Sequence, residues 1–196
     1  MPIHARHLRR WSVPIVVALL AVVLQWAAGF EWLRLERGLA WIEPWRLFGA
    51  HFVHLGWTHL WLNLTGLAVL WLLLGDTLRP LAWGAAVVIL AFGVSVVLLS
   101  CSPTVGWYVG FSGVLHGLFA AGAVANVFRE TRLALVLLAG LLLKLVIERV
   151  GQDDLTTASL IGGTVIVDSH LYGVLVGLSY GAVLLVISSR PATQGK

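Results

Sequence analysis

Charge is scarce in this chain. Only 11% of its 196 residues are Asp, Glu, Lys or Arg, against about 25% in soluble domains. That excludes an ordinary hydrated globular surface. Cysteine occurs once, at Cys101, which excludes an internal disulfide and a thiolate metal cluster. No low-complexity tract, convincing repeat or composition shift marks a second domain, so residues 1–196 read as one domain. What the chain has instead is apolar length: 59% hydrophobic residues and a mean hydropathy of +0.92. The expectation is an all-α polytopic membrane protein, a six-transmembrane-helix bundle. Its spans fall near 11–30, 52–74, 81–100, 107–128, 132–148 and 164–187.

The net charge of +4 and pI of about 9.8 would suit a nucleic-acid binder. The basic residues, however, sit in short loops and at the termini, where membrane orientation accounts for them, and no nucleic-acid partner is expected. With the N-terminus cytoplasmic, that side holds Arg6, Arg9, Arg10, Arg79, Arg129, Arg132, Arg190 and Lys196, and the other side holds Arg34, Arg37, Arg46 and Arg149. Eight against four favours both termini inside. Glu31, Glu36, Glu43, Glu148, Asp153, Asp154 and Asp168 fall outside. The run from Trp11 to Phe30 follows Arg9-Arg10 as in a signal peptide. It is about 20 residues long and lacks a small-x-small cleavage site, so it reads as a retained first span. The tryptophan-rich stretch 31–51 fits the outer interface, and Gly151 to Gly163 reads as a polar, flexible outer loop.

Polar residues recur in the outer halves of spans two, four and six, which run in one direction. Span two carries His51, His54, His59 and Asn63; span four carries Ser112 and His116; span six carries Asp168, Ser169 and His170. A polar group in hydrocarbon is costly and marks a functional candidate. Ser112 lies five residues into its expected span, ~8 Å below the surface by helix rise. His170 lies at a similar depth, so the two can meet as nucleophile and base. Gly173, Gly177 and Gly181 share one face with His170, and Gly113 and Gly117 offer a matching face beside Ser112. His59 and Asn63, four apart, share a face that could hold an oxyanion.

Each residue also has a plainer reading. Ser112 could bond a backbone carbonyl, and His170 could be an interhelical partner. His51, His54, His59 and His116 could ligate a metal, although no carboxylate or thiolate shares their level, so no metal is expected. Gly110-Phe111-Ser112-Gly113-Val114 is not the strand-borne elbow of soluble hydrolases. Lys144 and Glu148, four apart, read as a snorkelling local ion pair, with a charged feature beside a substrate gate as the alternative. Asp168 points off the face of His170, and no carboxylate is evidently placed to orient that histidine, so a serine–histidine dyad is expected.

Together these motifs resemble the rhomboid family of intramembrane serine proteases. Gly110-Phe111-Ser112-Gly113 resembles the GxSG motif, with Ser112 as nucleophile. His170, Gly173 and Gly177 resemble the catalytic-histidine helix. His59 and Asn63 resemble the HxxxN motif of span two, and Trp45-Arg46 the pair in the long first loop. A tyrosine common in rhomboids four residues after the serine is His116 here, which is similar to the rhombosortase branch. That branch is associated with bacterial proteins bearing a GlyGly-CTERM tail.

The resemblance implies an endopeptidase of the bacterial inner membrane, open to the periplasmic side. Its expected partner is a membrane-anchored protein with small residues near its helix, within the lipid bilayer. No cofactor is implied. An acyl transferase on the same dyad, or a non-catalytic client-binding relative, are the alternatives. A small transporter is disfavoured by the almost wholly apolar inner halves of the helices.

Overall fold

The computed structural model describes residues 3–27, 30–151 and 155–188. Arg190, Lys196, Asp153 and Asp154, which entered the sidedness reading above, lie outside them. The described chain is helical: α1 (Ile3–Trp26), α2 (Phe30–Leu33), α3 (Arg46–Gly49), a 3₁₀ turn (Ala50–Phe52), α4 (Trp57–Leu74), α5 (Pro80–Cys101), α6 (Ser112–Ala125), α7 (Thr131–Val150), α8 (Leu155–Ile161) and α9 (Val167–Ser188). A two-residue antiparallel pairing of β1 (Leu35–Glu36) with β2 (Trp107–Tyr108) is the one β pairing among these residues.

Three helices, Trp57–Leu74, Pro80–Cys101 and Val167–Ser188, are long and apolar enough to cross a membrane. Helix α6 has only 14 residues, or about 21 Å at 1.5 Å per residue, against a hydrocarbon core of about 30 Å. It is nevertheless the axis of the bundle. Nearly every residue from Gly113 to Ala123 is buried, and α4, α5, α7 and α9 pack around it. A helix that is apolar and small-sided all round suits that central place. Trp71, Trp83, Leu70, Leu74, Leu90 and Leu118 belong to one buried hydrophobic cluster. Trp71 and Trp83 are fully buried, with ring centroids 5.2 Å apart. Helix α7 lies outermost, with Ala134 its single buried residue among those described.

Polar anchors fix the two ends. At one, Arg10 pairs with Asp76 at 2.9 Å and donates to the Trp71 carbonyl, while the Trp71 indole donates to the Arg10 carbonyl at 2.8 Å. At the other, Arg37 donates to the carbonyls of Leu98, Leu99, Ser102 and Val105, closing the C-terminus of α5. Arg46, nearly buried, donates to Glu43 at 2.5 Å and to the Glu31 and Arg34 carbonyls. The long segment before α4 is thus pinned by two arginines, Arg37 to the end of α5 and the turn after it, and Arg46 to carbonyls within the segment.

Three expectations change. The second span begins at Trp57, not near 52, because residues 46–56 form α3, the 3₁₀ turn and extended chain. Residues 107–111 are not helical; they pair as β2 and then turn into α6, so Ser112 opens its helix instead of lying five residues inside it. The stretch read as a polar flexible loop, Gly151 to Gly163, carries the short helix α8.

Candidate active site

Gly110 sets the entry to α6. Its φ is +116°, a region that side-chain-bearing residues rarely adopt. A Cβ there would also come within 2.8 Å of the His59 ring. The Gly110 N–H donates to the Ala50 carbonyl and its carbonyl accepts from Tyr108 Oη at 2.7 Å. The chain then turns through Phe111 into α6 with Ser112 as first helical residue. The leading N–H groups of a helix have no intrahelical carbonyl. Those of Ser112 and Gly113 lie where partial positive charge gathers.

Helix α9 crosses α6 at the glycine faces. Gly113 lies against Gly173, Gly117 against Gly177 and Ala121 against Gly181, near enough that a Cβ on either Gly173 or Gly177 would collide with the facing carbonyl. This approach carries His170 to Ser112: Nε2 lies 2.8 Å from Oγ. His170 is 4% exposed. The His116 ring stacks on it, centroids 4.1 Å apart and planes 12° from parallel, and its Nδ1–H donates to the Ser112 carbonyl at 2.7 Å.

Glu148 of α7 was not expected here. Its Oε2 accepts from His170 Nδ1 at 2.8 Å, while Oε1 is held by Lys144 Nζ. The expectation that no carboxylate faces His170 is therefore corrected. The Lys144–Glu148 pair does form, but Glu148 also reaches across to another helix. Asp168, as its place on α9 indicated, turns away: it accepts from Ser102 Oγ at 2.5 Å and pairs with Arg149 at 2.9 Å. Ser102 also meets Tyr172 Oη at 2.9 Å, so the outer ends of α5, α7 and α9 are tied together.

Two adjoining cavities, of about 570 and 380 Å³, meet at Ser112. His59, Ser112, Ile161, Thr164 and Val165 line both. Asn63, His116, Glu148 and His170 line the smaller one. Asn63 uses one N–H on the His59 carbonyl at 3.0 Å, leaving its second donor. His54 packs edge-on against His59, centroids 4.9 Å apart.

His51 is structural. Its Nε2–H is shared between the Ala91 carbonyl and Ser95 Oγ, and Ser95 donates to the Leu47 carbonyl. Burial pushes its pKa down to about 4. Among the described residues, His51, His54, His59 and His116 do not converge as a metal set. The ligand atoms that do come together, within 4.8 Å, belong to His116, Glu148 and His170. Both nitrogens of His170 are already engaged, and its ring lies nearly parallel to that of His116, so their lone pairs run side by side.

Sequence reasoning missed Tyr108, and it paired Glu148 with Lys144 without the contact that Glu148 also makes with His170. The contact with His170 crosses to another helix, 22 residues along the chain, and nothing in local spacing announces it. No individual curated protein matches the chain. Residues 42–187 match the family model of the Rhomboid domain, a stretch that includes His59, Asn63, Ser112, His116, Glu148 and His170. The chain therefore belongs to the rhomboid family of intramembrane serine proteases, some of whose members are inactive.

Proposed function

We propose that this chain is an active intramembrane serine endopeptidase. The observation that carries the reading is the 2.8 Å contact of Ser112 Oγ with His170 Nε2 at the junction of two cavities. An inactive relative has no need of a hydroxyl and an imidazole aligned inside an apolar bundle.

Ser112 Oγ attacks the scissile carbonyl carbon while its proton passes to His170 Nε2. The oxyanion is received by the Ser112 backbone N–H, His59 and the second N–H of Asn63. Collapse breaks the C–N bond, and His170 returns the proton to the leaving amine. Water, deprotonated by His170, then attacks the acyl-enzyme and frees Ser112. Gly110, Gly113, Gly173 and Gly177 allow this approach, and His116 supports the His170 ring.

The bundle crosses the bacterial inner membrane six times with both termini cytoplasmic, and the site opens toward the periplasm. The client is a single-span protein cut near the outer end of its helix. An intact helix offers no free backbone, and unwinding one in lipid leaves each amide unsatisfied at several kcal/mol. Glycine weakens a helix by about 1 kcal/mol relative to alanine. The client therefore presents small residues at the bond, and the rhombosortase resemblance sharpens this to a GlyGly-CTERM-type tail.

The test is a client carrying such a tail, co-expressed with the chain and followed by mass spectrometry. Leu or Val in place of the small residues should stop processing. Undiminished cleavage at the same bond would reject this specificity. A serine-directed fluorophosphonate should label the wild type and not Ser112→Ala; failure to label the wild type would reject the enzyme.

A further inference from the structure

The proton on His170 has to be on the correct nitrogen. Ser112 needs a lone pair at Nε2, so the neutral ring must carry its hydrogen on Nδ1. Something has to hold it there inside an apolar bundle, and the dyad expected from the sequence contains no such group. Asp168 is taken by Ser102 and Arg149. His116 stacks on the face of the ring and uses its own Nδ1–H on the Ser112 carbonyl. Among the described residues, Glu148 is the carboxylate that reaches His170, with Oε2 2.8 Å from Nδ1.

We propose that Glu148 is the positioning residue that fixes the tautomer and orientation of His170, and that Lys144 fixes Glu148. The proposal rests on the serine-protease reading and extends its pair to a chain running Ser112, His170, Glu148, Lys144 across three helices. Lys144 matters because an ammonium only donates. It holds Oε1, which leaves Oε2 as a pure acceptor aimed at Nδ1. Glu148 also lines the 380 Å³ cavity, so the contact forms at the wall of the reaction space and not in a remote packing layer.

This arrangement makes an unusual prediction about the most conservative change. In Glu148→Gln the amide oxygen must face Lys144, since two donors cannot face each other. The NH₂ group then faces His170 Nδ1 and donates to it. That places the ring hydrogen on Nε2, where it cannot accept the Ser112 proton. A carboxylate-to-amide change of this kind costs about 10⁴-fold in a soluble serine protease. Glu148→Ala leaves room for water, which can accept from Nδ1. It should retain about tenfold more activity than Glu148→Gln, the worth of one hydrogen bond in the correct sense. In the double variant Lys144→Met with Glu148→Gln, the amide is free to turn its oxygen to Nδ1, and about tenfold should return.

The experiment measures the rate of fluorophosphonate labelling at Ser112 in detergent-solubilised wild type, Glu148→Gln, Glu148→Ala, Lys144→Met and the double variant. In parallel, ¹⁵N-histidine NMR reads which nitrogen of His170 carries the hydrogen. The expected result is Nδ1–H in the wild type, Nε2–H in Glu148→Gln, and Nδ1–H again in the double variant, with rates in the same order. A contact that merely docks α7 would behave differently: the isosteric Gln would be the mildest change, and adding Lys144→Met would make it worse. That order, or an Nε2–H tautomer in the wild type, overturns the proposal. Absence of labelling in the wild type would instead overturn the protease reading, while the NMR tautomers would still decide the role of Glu148.

Discussion

A Cβ on Gly173 would fall on the carbonyl oxygen of Gly113, and one turn deeper Gly177 stands in the same relation to Gly117. Helices α6 and α9 therefore touch backbone to backbone, and the Ser112–His170 contact stands at the outer end of that seam. Gly173→Ala and Gly177→Ala should each push α9 outward. A misplacement of ~1 Å can cost about 10²-fold in rate, so client processing should fall by about that factor. Wild-type turnover in both variants would show that the seam tolerates a methyl group and does not set the geometry.

Ser112→Ala and His170→Ala should each abolish processing, by on the order of 10⁶-fold. Ser112→Ala removes a single oxygen, so its thermal midpoint in detergent should stay near that of the wild type, whereas His170→Ala also gives up the stack on His116 and the bond to Glu148 and should lower it. Processing by Ser112→Ala at an undiminished rate would remove the serine from the mechanism.

Donors to the oxyanion should be graded. One lost donor costs about 10²–10³-fold in soluble enzymes, and the Ser112 N–H remains in each variant. Asn63→Ala and His59→Ala should therefore slow turnover within that range without eliminating it. If kcat is unchanged in both, α4 does not contribute to the hole.

Two glycines with positive φ separate backbone strain from collision. Gly110 (φ +116°) faces the His59 ring, whereas a methyl group on Gly162 (φ +79°) would meet nothing within 4 Å. Strained backbone alone costs of order 1–3 kcal/mol. Gly162→Ala should lower stability by about that much and leave activity largely intact. Gly110→Ala should lose activity as well, because the methyl group displaces His59. Equal, mild effects on processing would mean that His59 can move aside freely.

His51 should make the fold sensitive to acid. Its pKa is about 4 in the folded chain against the ordinary 6.5, so the folded state keeps it neutral. Below pH 6.5 the unfolded chain takes up a proton that the folded chain refuses. The contribution of His51 is thus complete above pH 6.5 and is lost as pH falls toward 4, at up to about 1.4 kcal/mol per pH unit. The thermal midpoint should drop between pH 7 and 5, and His51→Gln should flatten that drop. An unchanged slope in the variant would assign the acid sensitivity to other groups.

Much of this site is legible in one dimension because helices impose periods. The three- and four-residue spacings from His170 to Gly177 put histidine and glycines on one face, and the interval from His59 to Asn63 does the same on α4. Hydropathy shows where helices run, because a lipid-facing helix must be apolar throughout. Their ends are less visible. Residues 107–111 are as apolar as a span, yet Gly110 breaks the helix and makes Ser112 its first residue.

Sequence by itself therefore determined the class of the protein, the course of its helices and the residues that share a face within each helix, since these follow from local period and solvent preference. Only the tertiary structure decided which faces meet and what they bring with them. Glu148 is 22 residues from His170 along the chain and on another helix, and its apparent partner is Lys144 one turn away. A local pair can be read from spacing. A contact between helices depends on their relative rotation and depth, which the close packing of α6 against α9 and the docking of α7 beside them set jointly.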